Sequence, residues 1–404
     1  MQDKPRYLRK TLWCTGLVIL IQLLKKYVDD IFPGTIIFHH FLLTLLQLVI
    51  LLWTIIILVF ISQSFIKKVF ILVGILALPE LLCTYWLHHP SQIPASLRSV
   101  FMQYSTQVQS IVQFNPQCSV YNNDLFYTLK PSSRFVFANN EFADSFYTNK
   151  MGLRDDDSSL QNPEIICLGD SYAMGWGVKQ NETFAEQLGN SLHKKVLNAA
   201  ISSYGTAREL KNLYRLDTSN LQYIILQYCH NDYTENENFV KNNYSLLISS
   251  EHKYDSLVNN NYWTMLWFPG KRFTCISKFY LEKKVNHFLF PKKEPSADSV
   301  AAGLRLTASY LTNILFHSAI NFKKIKVFVV DLNQKELINN DLLDEMNILI
   351  NSPAYAAHFN NNLIMVPVAD LLTNTDYYIL DPHLRPSGHR KIADRLSKYM
   401  FPGN

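Results

Sequence analysis

Glycine is scarce in this 404-residue chain, with 13 residues, and only 18% of its residues are charged. Intrinsic disorder needs the opposite balance, low hydrophobicity with high charge. Here 48% of residues are hydrophobic, and Phe and Tyr number 25 and 22. Cysteine is sparse too: there are six, none in a Cys-x-x-Cys pair. Neither a disulfide-dense scaffold nor a zinc site is indicated. Most of the chain also lacks an excess of either charge. The first ninety residues hold eight Lys/Arg against four Asp/Glu, and beyond them 30 bases face 29 acids. A nucleic-acid binder needs a basic face on its folded part, so nucleic acid is not an expected partner.

Long apolar runs are abundant. No charge occurs from residue 31 to 66, and 35–61 is almost wholly apolar, longer than the roughly 20 residues that cross a hydrocarbon core. A second run, 69–87, is broken only by Pro79 and Glu80. A third, 11–24, is short and spans only if Lys25 and Lys26 snorkel; otherwise it is an amphipathic or signal-like stretch. Lys25-Lys26-Tyr27 stands where cleavage would need small residues. Four bases at the N-terminus and the Lys67-Lys68 pair both favour the cytoplasmic side. Three spans satisfy both and leave everything after Leu87 outside; two spans would reverse that. Residues 1–90 are therefore expected to be a membrane anchor with two to three transmembrane helices. Glu80, mid-span beside Pro79, is a candidate functional carboxylate, or the partner of a neighbouring helix. His39-His40 and His88-His89 lie near span ends, and no metal role is assigned to them. An extracytoplasmic location would permit a Cys118–Cys275 disulfide.

Residues 91–160 read as a linker with entry strands, among them 134–138. From 161 to 404 strands and helices alternate. Strands are expected over 164–168, 195–201, 221–228, 324–331 and 362–368, and helices over 183–192, 299–320, 342–350 and 386–400. A further helix should start after Gly205, where Thr206-Ala207-Arg208-Glu209 has the form of a capping box. This rhythm predicts an α/β fold with a parallel sheet covered on both faces. Residues 233–295 break it and read as an insertion of loop and short helix.

In open parallel sheets, ligands bind beyond the carboxyl ends of the strands. Ser171 follows the first strand, Gly205 the second and Asn231 the third, while Asp381 and His383 follow the last. Acyl transfer from serine needs this set of groups. Serine requires a base, histidine serves near neutral pH, and an acid fixes its tautomer. The oxyanion needs preorganised donors, worth roughly 3–4 kcal/mol each in comparable sites. The backbone N–H groups of Ser171 and Gly205 and the Asn231 amide would supply three.

Gly169-Asp170-Ser171, Gly205, Asn231-Asp232 and Asp381-Pro382-His383 follow in order the four blocks of the SGNH hydrolases, or GDSL lipases/esterases. The resemblance covers about residues 145–404. It is especially close to membrane-anchored bacterial members, in which a segment like Tyr147-Thr148-Asn149-Lys150-Met151-Gly152-Leu153-Arg154 precedes the nucleophile strand. It implies a flavodoxin-like three-layer α/β/α sandwich. It also implies Ser171 as nucleophile, His383 as base, Asp381 as its orienting acid, and Gly205 and Asn231 as oxyanion donors. Two departures stand out: Cys229 occupies the third block's usual glycine, and one residue rather than two separates Asp381 from His383.

The resulting expectation is a multi-pass protein of a bacterial inner membrane with an extracytoplasmic serine esterase domain. It needs no cofactor or metal, and its substrate is an O-acyl or O-acetyl ester, on a cell-envelope glycan or a lipid. An O-acyltransferase of an envelope polysaccharide and a catalytically silent envelope-assembly protein are the alternatives. Asp170 and Asp232 read as structural, and Arg154 as half of a salt bridge or a binder of substrate carboxylate. Tyr172, Trp176 and Tyr204 read as flanking the site, and His230 as an exposed loop residue. Two histidines compete for the role of base. Pro386 suits the first turn of the last helix, which puts His383 in the loop at the sheet edge and withdraws His389 into the helix.

Overall fold

A computed structural model describes residues 65–108, 111–289 and 296–402, together with a few isolated positions before 65. The runs 11–24 and 35–61 lie almost entirely outside the described residues. Among the described residues no helix is long and apolar enough to cross a membrane. The run 69–87 falls in a continuous helix, α1 (Phe65–His88), that contains Pro79.

The chain divides into two compact units, one of residues 1–87 with 267–277 and the other of residues 88–266 with 278–404. In the first, Glu80 has partners: it accepts from the Phe273 backbone N–H at 2.8 Å and from the Arg272 guanidinium at 3.4 Å. A paired carboxylate is the structural reading of Glu80, and the partners come from the insertion.

The second unit begins with α2 (Ala95–Gln107) and two antiparallel hairpins. These are β1 (Ser119–Asn122) with β2 (Phe126–Leu129), and β3 (Arg134–Ala138) with β4 (Ala143–Tyr147). Then come β5 (Ile165–Leu168), α3 (Ser171–Met174), α4 (Phe184–Leu192), β6 (Val196–Asn198), α5 (Thr206–Leu213) and β7 (Tyr223–Tyr228). The insertion follows as α6 (Tyr233–Lys241), α7 (Glu251–Met265) and α8 (Lys271–Leu289). The chain closes with α9 (Ala297–Phe316), β8 (Lys326–Asp331), α10 (Asp341–Ile350), α11 (Ala356–Phe359), β9 (Leu363–Met365) and α12 (Pro386–Met400). Over its described residues the insertion is therefore mostly helical, where loop and short helix were expected.

Strands β5 to β9 form one parallel sheet in the order β6-β5-β7-β8-β9. Counted along the chain this is 2-1-3-4-5, the flavodoxin-like order. The step from β5 to β6 runs one way across the sheet and all later steps run the other way. Right-handed crossovers then place α4 on one face and α5, α9 and α10 on the other. The packing agrees: α4 contacts α12, whereas α9 contacts α5, α6 and α10. The strands β5 (Ile165, Ile166, Cys167, Leu168) and β7 from Ile224 onward are buried, as expected of a sheet covered on both sides.

Two local expectations are corrected. The N-cap of α5 is Gly205 and makes no side-chain cap. Thr206 lies inside the helix and its hydroxyl donates to Asp232, so no capping box forms. Arg154 forms no salt bridge among the described residues, and the Asp144 and Glu182 carboxylates act on it only at longer range. It is 2% exposed, and its guanidinium donates to the carbonyls of Met174 (3.0 Å), Val178 (2.6 Å) and Gly175, and to Gln180 Oε1 (3.0 Å). The Phe146 ring packs 4.8 Å from it. One buried cation thus pins the loop just after Ser171 through its backbone. No disulfide joins Cys118 and Cys275, so the bridge allowed by the sequence is absent.

Removing that guanidinium strands the Met174 and Val178 carbonyls, each costing about 1–3 kcal/mol when left unpaired, and leaves the Gly175 carbonyl only the Val178 N–H at 3.3 Å. Arg154→Met should lower unfolding free energy by about 3–5 kcal/mol in urea titrations. Arg154→Lys should recover little, because an ammonium cannot fork across three acceptors. A variant within 1 kcal/mol of the parent, roughly the value of one ordinary hydrogen bond, would contradict this account.

Candidate active site

The turn after β5 exposes a side chain at the sheet edge because its backbone is forced. Gly169 holds a φ of +151°, and a Cβ there would sit 2.5 Å from Gln227 Oε1 and 2.7 Å from the Ala173 Cβ. Gln227, on β7, accepts from the N–H groups of Asp170 (3.0 Å) and Ala173 (3.2 Å), locking the turn to the sheet. Asp170 caps α3 by accepting from the Tyr172 N–H at 2.9 Å. Its other oxygen accepts from Asn231 Nδ2 at 3.1 Å. Asp170 is wholly buried; burial raises its pKa, against the opposing pull of the Tyr172 N–H, His383 and Asn231. Its role is structural, as the sequence suggested.

Ser171 Oγ lies 2.7 Å from His383 Nε2, and His383 Nδ1 lies 2.5 Å from Asp381 Oδ1. The single intervening residue does not loosen the pair. Asp381 Oδ1 also accepts from the His383 backbone N–H at 3.0 Å, which only a tight turn allows. Asp381 Oδ2 accepts from Trp176 Nε1 (3.2 Å) and Asn139 Nδ2 (3.1 Å). Burial alone would raise this carboxyl's pKa. The facing imidazole and the hydrogen bonds outweigh it, and Asp381 stays below the usual carboxylate range.

Asn139 and Glu141 were not anticipated. The Asn139 side-chain oxygen accepts from the N–H groups of Glu141 and Phe142, closing the tip of the β3–β4 hairpin, and its NH2 is left for Asp381. Glu141 accepts from the N–H groups of Ile379 (2.8 Å) and Leu380 (2.6 Å). The hairpin thus holds the loop that carries Asp381. Asn333, beyond β8, was missed as well. Its Oδ1 accepts from the His230 N–H at 2.8 Å and the Cys229 thiol at 3.3 Å, tying down the loop that presents Asn231. Cys229, in place of glycine, is buried there.

A cleft of about 340 Å³ opens over Ser171 and His383, with Asn231 on its wall. Trp176 and Tyr172 line it, and the Tyr172 ring packs 4.8 Å from the His383 ring. Tyr204 does not: it is buried behind, donating to the Tyr127 carbonyl. His230 is exposed and also borders the cleft. Gly205 is the main correction. Its N–H donates to Glu235 Oε1 at 3.2 Å, and Ser202 and Ser203 line the cleft in its stead. The N–H expected to meet an oxyanion is spent on a carboxylate of α6, 30 residues along the chain.

His389 lies apart from the reacting groups. It is 1% exposed, its Nδ1 accepts from the Phe184 N–H at 3.2 Å, and it stacks on the Phe184 ring. Burial, then the nearby charges of Arg154 and His383, lower its pKa to about 3. No group of three or more His, Cys, Asp or Glu suited to a metal occurs among the described residues.

No family model matches this chain, and no curated protein matches it. Among solved structures it is similar to a lipolytic protein of the G-D-S-L family from Desulfitobacterium hafniense, at 10% identity and a TM-score of 0.29. That match covers 59% of this chain and 99% of the other. It is also similar to a lipase from a goat rumen metagenome, at 12% identity and a TM-score of 0.28, covering 58% of this chain and 97% of that one.

The two histidines should separate cleanly by substitution. His383→Ala should lower ester turnover by at least about 1000-fold with folding intact. His389→Ala should act on stability. Because the folded imidazole refuses a proton that the unfolded one accepts, its contribution is lost as pH falls from about 6.5 towards about 3. Urea unfolding at pH 7 and pH 4.5 should show the parent losing more stability over that step than His389→Gln does. Inactivity of His389→Ala beside normal turnover by His383→Ala would reverse the assignment.

Proposed function

We propose that this chain is a serine ester hydrolase of the SGNH type. The observation that carries the reading is the continuous relay Ser171 Oγ to His383 Nε2, and His383 Nδ1 to Asp381 Oδ1, at 2.7 and 2.5 Å. Ser171 attacks the ester carbonyl while His383 Nε2 takes its proton. Asp381 holds Nδ1–H and stabilises the imidazolium. Asn231 has one amide hydrogen engaged by Asp170 and the second for the oxyanion, with the Ser171 N–H beside it. The imidazolium protonates the departing alcohol, and water, deprotonated by His383, releases the acid.

Apart from the triad's own members, the side chains lining the cleft are amides such as Gln113 and Asn333, hydroxyls, apolar groups such as Leu337, the Cys229 thiol and the His230 imidazole, with no carboxylate, lysine or arginine among them. This lining suits an uncharged O-acyl ester whose alcohol part is rich in hydroxyls, such as an acylated glycan. An O-acyltransferase would use the same steps with a sugar hydroxyl in place of water.

In this reading residues 1–90 anchor the protein in a bacterial inner membrane, residues 91–160 lead into the catalytic domain of 161–404, and that domain lies outside the cytosol. Its support is the charge bias of the N-terminal apolar runs.

A fluorophosphonate probe should label the full-length protein in detergent, and Ser171→Ala should abolish both labelling and hydrolysis of p-nitrophenyl acetate. Absent labelling of the parent would favour the silent assembly protein. Product analysis with an added oligosaccharide acceptor separates hydrolase from transferase.

Alkaline phosphatase fused after Gln92 should be active in bacterial cells, and a reporter that matures only in the cytosol should be dark there. The opposite pair of results would leave two spans and a cytosolic domain.

A further inference from the structure

The lost Gly205 donor has a replacement. Ser202 and Ser203 form the cleft wall beside Ser171 and Asn231. They are the central residues of a turn closed by Tyr204 N–H to the Ile201 carbonyl at 3.1 Å. Ser203 holds a left-handed φ of 60°, a conformation that is strained for a non-glycine residue and persists only where its surroundings impose it. Those surroundings are identifiable. The Ser202 carbonyl accepts from the buried Tyr127 hydroxyl at 2.6 Å. The Ser203 hydroxyl accepts from Gln113 Nε2 at 2.9 Å, and the Ser202 hydroxyl donates to Gln113 Oε1 at 3.4 Å. Gln113 is itself pinned, its carbonyl accepting from Ser119 Oγ at 2.8 Å.

The Ser202 carbonyl and the Ser203 N–H belong to one peptide unit. In a trans peptide the two point in opposite directions. Anchoring the carbonyl on Tyr127 therefore turns the Ser203 N–H away from the β1–β2 hairpin. No acceptor takes that N–H among the described residues. An N–H at a cleft wall, aimed by its own carbonyl and left open, is a preorganised donor of the kind an oxyanion requires.

We infer that the Ser203 N–H, not that of Gly205, is the oxyanion donor of this strand end, and that Tyr127 and Gln113 are positioning residues that aim it. The inference rests on the esterase reading above. It gives the segment before the α/β sheet a part in transition-state stabilisation.

Tyr127→Phe removes one hydroxyl and keeps the ring packing, and Gln113→Ala tests the second contact on its own if the first variant folds poorly. With p-nitrophenyl acetate, Tyr127→Phe should lower kcat about 10- to 100-fold and Gln113→Ala by a smaller factor, with KM within about twofold. A trifluoromethyl ketone, which mimics the tetrahedral adduct, should lose affinity by the same factor as kcat/KM. A purely structural role would lower the melting temperature and leave those ratios alone. If the parent is active and both folded variants keep its kcat, or change only KM, this inference is overturned while the esterase reading stands. If the parent shows neither turnover nor fluorophosphonate labelling, the esterase reading falls and this inference with it.

Discussion

A carboxylate with no exposure at all is held at Asp381, and the site depends on how it is satisfied. Removing such a charge from water costs several kcal/mol unless hydrogen bonds replace the lost solvent. Four do so here: two from His383 itself, one from Trp176 in the loop after the nucleophile, and one from Asn139 at a hairpin tip. The requirement to satisfy one anion therefore joins three distant stretches of chain. It fixes the imidazole in rotation and tautomer, and through the imidazole it fixes the serine. Loss of the hairpin contact would leave Asp381 underpaired and raise its affinity for the proton it must leave on His383.

A second group of carboxyls is managed differently. Glu209 and Asp232 are each 1% exposed, and both Glu209 oxygens and Asp232 Oδ1 have no hydrogen-bond partner among the described residues. Burial, reinforced by their mutual proximity and by Asp170, raises both pKa values well above the carboxylate range. Both are thereby biased towards the uncharged form. This matters to the cleft, because a further uncompensated negative charge near Ser171 would oppose the oxyanion that has to develop there.

Much of this was legible in sequence, for a physical reason. Parallel strands end at one edge, so Ser171, Asn231, Asp381 and His383 could be assembled from strand positions alone, and α12 starts at the proline that suits its first turn. At the second strand end the sequence pointed to Gly205, the glycine that follows the strand. The left-handed backbone falls on Ser203, whereas Gly205 has an ordinary φ of −91°. Asn139 was invisible for another reason: an asparagine two residues before a turn's N–H groups reads as a turn former, which it is, and nothing local reveals that its other atom serves a residue 242 positions away. The extent of helix in the insertion escaped because its Asn-rich stretches mimic loop.

Ser171 and His383 are separated by 212 positions, and the support at Asn139 spans further still. Contacts this remote in sequence form late, since the chain between them must lose its freedom before they can be rewarded. As the polypeptide leaves the ribosome, Ser171 and its strand emerge long before the loop that carries the base. Throughout that interval Ser171 has no imidazole beside it and is chemically an ordinary serine. The architecture thus keeps the nucleophile dormant until the last helix has docked, so reactivity and completion of the fold arrive together.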